Sequence, residues 1–494
     1  GRMTKLADIV KVERRFALSA RIDTDLNGTP PLSGYVLQAS VRKSLLAMLT
    51  GIAEGSQFAF TWTGPYGGGK SCAALLVANL VAGNKKQRAL AEGIVGPELA
   101  DQFSSSFPGR GHAWDVLALT GRRASLAAAI AEAAAGAFEW PQATIDAAQD
   151  ERALIDAIEA RARLKGGLLI VIDELGKFLE HATSSAGDVH ILQDLAERAA
   201  RSEGRLVIVG ILHQSFEQYA NRLSRTGRNE WAKVQGRYQN VPFVAQADEV
   251  AALIARAIGS DHAPASAREI AERTAEAISH RRPVDVAGLA EILTRTWPLH
   301  PVSALLLGPV SRQRFAQNER SVFGFLSSSE PSGFQAHLAR TELTENAWYG
   351  PDQLWDYLVA NFGSALSVGP ESNRMTLAME AVEKAALYGP LAMKLAKVAA
   401  VVELFRNGSG LSVADDILSL CAPEARTAEV TATIDELVNR AILIRQPRLG
   451  GYALFAGSDF DLDEAISKVA LKLDANVLAD LPSRLGVGPI AAKS

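Results

Sequence analysis

FAFTWTGPYGGGKSCA, residues 58–73, is the stretch whose reading decides the fold. Phe58 to Thr63 is a short apolar run and reads as a buried strand. Gly64-Pro65-Tyr66-Gly67-Gly68-Gly69-Lys70-Ser71 then satisfies every fixed position of G-x-x-x-x-G-K-[ST]. An alanine- and leucine-bearing helix follows from Ala73 to Val81. Strand, glycine-rich loop and helix is the context in which such a loop cradles phosphate. The glycines let successive backbone N–H groups turn toward phosphate oxygens, and the helix N-terminus adds partial positive charge. Lys70 is placed to reach the β- and γ-phosphates of a nucleotide, and Ser71 to ligate Mg²⁺. The candidate nucleotide contacts are therefore Gly64, Pro65, Tyr66, Gly67, Gly68, Gly69, Lys70, Ser71 and Cys72, with ATP and Mg²⁺ the expected cofactors. The bland alternative is a glycine-rich turn followed by an accidental Lys-Ser.

A second apolar run, Leu168 to Ile172, ends in Asp173-Glu174. It lacks alternation, which marks a strand buried on both faces of a parallel sheet. Carboxylates at its C-terminal end stand where ligands bind in open α/β sheets. Asp173 is expected to hold Mg²⁺ beside Ser71, and Glu174 to polarise the attacking water. The other reading is an acidic pair completing the dipole of the helix from Leu175 to His181. Arg205 to Leu212 is a third such run and ends in His213-Gln214-Ser215. Gln214 or His213 would sense the γ-phosphate there, or Ser215 would cap the next helix. Ala113 to Leu119 reads as one more core strand. Ser125 to Arg163 reads as packed helices broken at Trp140-Pro141. Upstream, Asn27 to Pro31 is a loop, and Tyr35 to Leu49 a lead-in helix with Tyr35 as either a base contact or ordinary packing.

At 494 residues the chain is too long for one core. Its hydrophobic content of 48% and net charge of -4 describe a globular protein that is not coated in nucleic acid, although a local basic face stays open. Two cysteines, Cys72 and Cys421, argue against a disulfide framework and fit a cytoplasmic location. No run is long and apolar enough to span a bilayer, so no membrane partner is expected. Gly1-Arg2 ahead of Met3 reads as a cloning remnant, and the ending at Ser494 is compatible with a fragment of a longer protein.

The order of these landmarks, followed by Gly236-Arg237-Tyr238-Gln239-Asn240-Val241-Pro242-Phe243 and then by helices, resembles AAA+ ATPases. The resemblance is to their initiator-like branch, which includes origin-recognition ATPases. It implies an α/β P-loop core with a parallel sheet, a helical lid and a C-terminal winged helix. It also implies a homo-oligomer in which Arg237 reaches a neighbour's ATP as an arginine finger. Within SRQRFAQNERSVFGFL, Arg312, Arg314 and Arg320 lie near the usual second sensor. Arg320 fits best, although Gln317-Asn318-Glu319 replaces the usual leading glycine. IVIDELGKFLEHA, EWAKVQGRYQNVPF and RFAQNERSVFGFL also resemble bacterial ATP-binding proteins of anti-phage defence islands, which implies defence-system partners.

The expected organisation is an N-terminal extension and lead-in helix over 1–50, the ATPase core over 51–243, the lid over 244–340, a helical connector over 341–391, a winged helix over 392–466 and a tail over 467–494. The winged helix rests on helices at Ala392–Phe405, Ser412–Leu420 and Ala428–Asn439. Strands at Ala441–Arg445 and Tyr452–Phe455 follow. Arg440, Arg445 and Arg448 are candidate DNA-phosphate contacts. Glu429, Asp435 and Glu436 on the third helix equally suit a protein contact. Gly457 to Glu464 reads as an acidic turn capping a last helix, or as a calcium loop. Functionally, the sequence points to an ATP-hydrolysing switch acting on DNA or a partner complex. The rivals are a STAND-like scaffold that binds ATP with little hydrolysis, and a transcription regulator.

Overall fold

A five-stranded parallel sheet organises the first half of the protein. The structure is a computed structural model that describes residues 3–13, 32, 35–64, 69–107, 114–185, 189–213, 219–220, 225–312, 322–366 and 372–454. The strands are β1 (Ala59–Thr63), β2 (Trp114–Thr120), β3 (Gly167–Asp173), β4 (Leu206–Leu212) and β5 (Gln239–Pro242), in the order β2-β3-β4-β1-β5. Every residue of β1, β3 and β4 is buried, as expected for strands covered on both faces, and the two threonines of β1 hydrogen-bond Asn240. The register pairs Thr61 of β1 with Gly210 of β4, and Ile172 of β3 with the same glycine. β4 therefore separates the strand that leads into the glycine-rich loop from the strand that ends in Asp173.

Helices α1 (Ala39–Gly55) and α2 (Lys70–Ala82) belong to this unit, as do α3 (Leu175–Ser185), α4 (His190–Ala200) and α5 (Arg225–Gln235). Tyr35 to Leu49 is the helix expected from sequence, but α1 starts at Ala39 and runs on to Gly55. Ile52 extends its buried face, and Ser56 ends it in the left-handed conformation. The alanine-rich stretch holds three helices, Leu126–Ala137, Gln142–Ala147 and Glu151–Leu164, where the sequence marked one break. The additional boundary is the Asp150 cap, whose carboxylate accepts the Ala153 N–H at 3.1 Å.

Residues 18–245 form one compact unit, and residues 1–17 with 246–494 form the other. The second unit is helical up to a terminal hairpin. Leu6 and Val10 from the N-terminal stretch are buried in it, the Leu6 N–H donating to the Thr341 carbonyl at 2.9 Å. Arg282 makes a bidentate pair with Asp248 at 3.0 and 2.8 Å and donates to the Ser409 carbonyl at 3.1 Å. Three helices, α6 (Pro390–Phe405), α7 (Asp415–Leu420) and α8 (Thr427–Asn439), precede β6 (Leu443–Gln446) and β7 (Gly451–Leu454). β6 and β7 pair antiparallel around a short turn at Pro447–Leu449. Gly457–Glu464 and residues 467–494 lie outside the described residues, as do Asn27–Pro31. Among the described residues no helix is long and apolar enough to cross a membrane, and neither cysteine forms a disulfide.

Two histidines of this unit are buried and neutral. His300 Nε2 donates to the Leu420 carbonyl at 2.8 Å while its Nδ1 accepts the Val302 N–H at 3.1 Å. His337 Nε2 donates to the Ala347 carbonyl at 3.0 Å, and its Nδ1 lies 3.1 Å from Gln353 Nε2. Burial, the main cause, pushes both imidazoles down to about 4. Below the ordinary histidine value of about 6.5 the unfolded chain takes up protons that the folded chain refuses. Stability is therefore expected to fall from about pH 6.5 to about pH 4, by roughly 1.4 kcal/mol per pH unit for each histidine. Asp352, whose buried carboxyl is pushed up, opposes this, so the measured drop is a net one. Urea midpoints at pH 7 and pH 5 check the expectation, and equal midpoints would contradict it.

Candidate nucleotide-binding site

The loop between β1 and α2 is described at its two ends, Gly64 and Gly69, while Pro65, Tyr66, Gly67 and Gly68 lie outside the described residues. Gly69 has φ of 81° and caps α2, a left-handed position that any side chain would strain. α2 reads KSCAALLVANLVA because it is buried on nearly all sides and needs no polar face. Lys70, its first residue, is only 5% exposed. Its ammonium donates to the Gly64 carbonyl at 2.6 Å, so the charge points back along the loop instead of into solvent.

Ser71 Oγ donates to Asp173 Oδ2 at 2.8 Å, and the Glu174 N–H donates to Asp173 Oδ1 at 2.8 Å. The start of α2 and the end of β3 thus meet side chain to side chain. Asp173 is buried, and desolvation raises its pKa against the lowering effect of the Ser71 and Glu174 hydrogen bonds. Glu174 adds a smaller push up and Lys70 a smaller push down. The Ser71 hydroxyl and the buried Asp173 carboxylate are oxygen donors that fit a divalent cation, and the Lys70 ammonium near them suits phosphate. Ser71 and Asp173 would hold such an ion, which supplies charge neutralisation. Among the described residues no group of three His, Cys, Asp or Glu side chains could hold a metal, so the remaining ligands would come from water and phosphate.

Glu174 sits one residue beyond β3 with φ of 48°, a left-handed conformation uncommon for a residue with a side chain. Its carboxylate takes an ion pair from Lys177 Nζ at 3.0 Å. β4 runs between β1 and β3, so its polar end at His213 falls between the loop and Asp173. Gln214 and Ser215 lie outside the described residues. Tyr35 stands beside the loop, its hydroxyl 3.9 Å from where a Cβ on Gly69 would be. Burial is the main cause raising its pKa, with the Cys72 thiol second. Cys72, half-buried in the first turn of α2, is near enough to Tyr35 to act on it electrostatically.

Arg237 follows α5 and leads into the edge strand β5. Its guanidinium pairs with Glu197 of α4 at 2.9 Å, both side chains well exposed. Glu230 on α5 is the acid nearest to Arg237 in sequence. Glu230 instead binds Lys233, its i+3 neighbour on the same helix. Arg314 and Arg320 lie outside the described residues, as does the side chain of Arg312.

In the C-terminal hairpin region, Arg445 pairs with Asp435 at 3.3 Å. Arg440 pairs with Glu436 at 3.2 Å and lies over the Tyr388 ring. Glu429, the remaining acid of this set on α8, pairs with Arg426. Sequence reasoning passed over Lys177 and Glu197. Lys177 was visible as the i+3 partner of Glu174 in DELGK, whereas Glu197 comes from a separate helix and left no local signal.

No protein-family model and no curated protein matches the sequence. Among the solved structures similar to this chain are three of low sequence identity. Cdc6p from Pyrobaculum aerophilum is 11% identical with a TM-score of 0.35, over 93% of this chain and 97% of that one. The Aeropyrum pernix ORC2 protein in its ADP form is 12% identical with a TM-score of 0.35, over 94% and 100%. The same protein with ADPNP and ADP is 12% identical with a TM-score of 0.32, over 93% and 97%.

Proposed function

We propose that this chain is an AAA+-type ATPase that hydrolyses Mg-ATP to drive a conformational switch. The observation that carries the reading is the hydrogen bond between Ser71 and Asp173, with the buried Lys70 beside it. It joins two sequence motifs 102 residues apart into one phosphate- and metal-binding arrangement. Glu174, next in the chain, is the base that orients the attacking water, Gln214 assists, and Arg237 completes a neighbouring subunit's site. Arg320 is the lid arginine that senses the nucleotide. This reading places the protein in a homo-oligomer and, following the second resemblance, in a bacterial anti-phage system with partner proteins. A STAND-like scaffold with little hydrolysis is the alternative that the carboxylate at Glu174 disfavours.

ATP binding tests the phosphate loop directly. Lys70→Ala is expected to weaken ATP binding by roughly 10- to 150-fold. That is the worth of about 1.5–3 kcal/mol for a charge-assisted hydrogen bond to the β- and γ-phosphates. Calorimetry showing the same affinity for both proteins would mean that the loop does not hold the nucleotide.

The C-terminal hairpin is the surface offered to the partner complex. Arg440 and Arg445 are already neutralised by Glu436 and Asp435, which favours a protein partner over DNA. DNA affinity is expected to be weak, and Arg445→Glu with Arg448→Glu to change it less than about threefold. Were these arginines bound to DNA phosphates, removing each would flatten the salt dependence by about 0.9 in log–log slope. A salt titration with a steep slope that the double variant flattens would restore the DNA reading.

A further inference from the structure

The turn after β2 is built against the backbone of the Asp173-Glu174 corner. Thr120, the last residue of β2, is in register with Asp173. The Gly121 N–H donates to the Asp173 carbonyl at 2.7 Å. A Cβ placed on Gly121 would stand 1.8 Å from the Glu174 carbonyl oxygen and 2.7 Å from its carbonyl carbon. Both atoms are backbone, so no side chain can swing aside to make room. Glu174 in turn is held left-handed, with its N–H on Asp173 Oδ1. A left-handed residue that is not glycine persists only where the surroundings dictate it.

We propose that Gly121 is a positioning residue for Glu174: its missing side chain lets the turn after β2 press on the Glu174 peptide and fix where that carboxylate is presented. Gly121 touches neither nucleotide nor water in this scheme and acts only through the backbone of residue 174. The proposal rests on the reading of Glu174 as the base for hydrolysis. Any larger residue at 121 requires the turn after β2 and the Glu174 peptide to move apart by more than an ångström, and a misplacement of that size costs about a hundredfold in rate when it reaches a reacting group.

The test is turnover of Gly121→Ala in two backgrounds, with ATP affinity measured by calorimetry. In the wild-type background kcat is expected to fall about a hundredfold while KM and ATP affinity stay within about threefold. In the Glu174→Gln background, where no base remains to misplace, the same substitution is expected to add less than about threefold. An equal loss in both backgrounds, or full turnover by Gly121→Ala, overturns the proposal. Wild-type turnover by Glu174→Gln itself would instead overturn the reading on which it rests.

A second readout needs no nucleotide. Gly121→Ala is expected to lower Tm by several degrees. Glu174→Gly frees the residue 174 backbone to yield, and in that background the drop is expected to shrink to less than about half. Should Gly121→Ala fail to fold alone, folding of the Gly121→Ala/Glu174→Gly pair supports the proposal, and failure of both, or additive losses, overturns it.

Discussion

Arg237→Ala is expected to fold, bind ATP as the wild type does, and lose turnover by about a thousandfold or more. The magnitudes of the two roles open to this arginine separate them. Its pair with Glu197 is exposed, with 43% and 38% of the side chains accessible, and such pairs contribute about 0–1 kcal/mol. Removing it would scarcely disturb the protein, and breaking it to reach another subunit costs equally little. An arginine that stabilises charge on the transferring phosphate is worth about a thousandfold or more in rate. Mixing Arg237→Ala with Lys70→Ala protein is then expected to recover part of the activity, since some interfaces pair an intact loop with an intact arginine. Full activity in Arg237→Ala alone would assign the residue to its surface pair. Failure of co-assembled mixtures to recover any activity would rule out an arginine that acts between subunits.

Glu174→Gln is expected to retain ATP and slow its hydrolysis by about a hundredfold or more. The amide keeps the size of the carboxylate but cannot accept a proton from water, and positioned proton transfer contributes roughly that factor. The ion pair with Lys177 is also broken. Being half-exposed, it accounts for no more than a small part of the effect. Single-turnover phosphate release, with ATP binding measured on the same protein, checks this. Equal rates would make Glu174 a helix-terminal acid and nothing more.

The sheet was legible because burial leaves a mark in composition. β1, β3 and β4 are strands that water does not reach on either face, so their runs are mostly apolar and do not alternate with charged residues. Helix ends were less legible. α1 continues six residues past Leu49 because Ile52 still packs on the core, and tertiary packing of one residue decides that boundary. The local part of the site was legible for the same reason its chemistry is local: Gly64, Gly69, Lys70 and Ser71 are neighbours in sequence.

What joins the site across the sheet was legible only in part. The order of the motifs set Asp173 beside Ser71, but the hydrogen bond between them depends on which strands lie side by side. The Glu197 partner of Arg237 comes from a helix 40 residues away, while Glu230, nearer in sequence, is held by Lys233. Gly121 carried no sequence signal at all, because its requirement is the closeness of another residue's backbone. The arginines of the C-terminal hairpin show the converse. Their charge was plain in the sequence, as was Glu436 four residues before Arg440, but the pairing of Arg445 with Asp435 became visible only with β6 folded against α8.

The central claim is hydrolysis at a site that two subunits complete. Specific ATPase activity measured across a protein dilution series, with molecular mass followed under the same conditions, tests it most directly. A shared site predicts turnover well above that of Glu174→Gln at high concentration, falling toward the level of that variant as the assembly dissociates. Turnover that is independent of dilution while the mass falls to that of one chain, or no turnover above Glu174→Gln at any concentration, would contradict it.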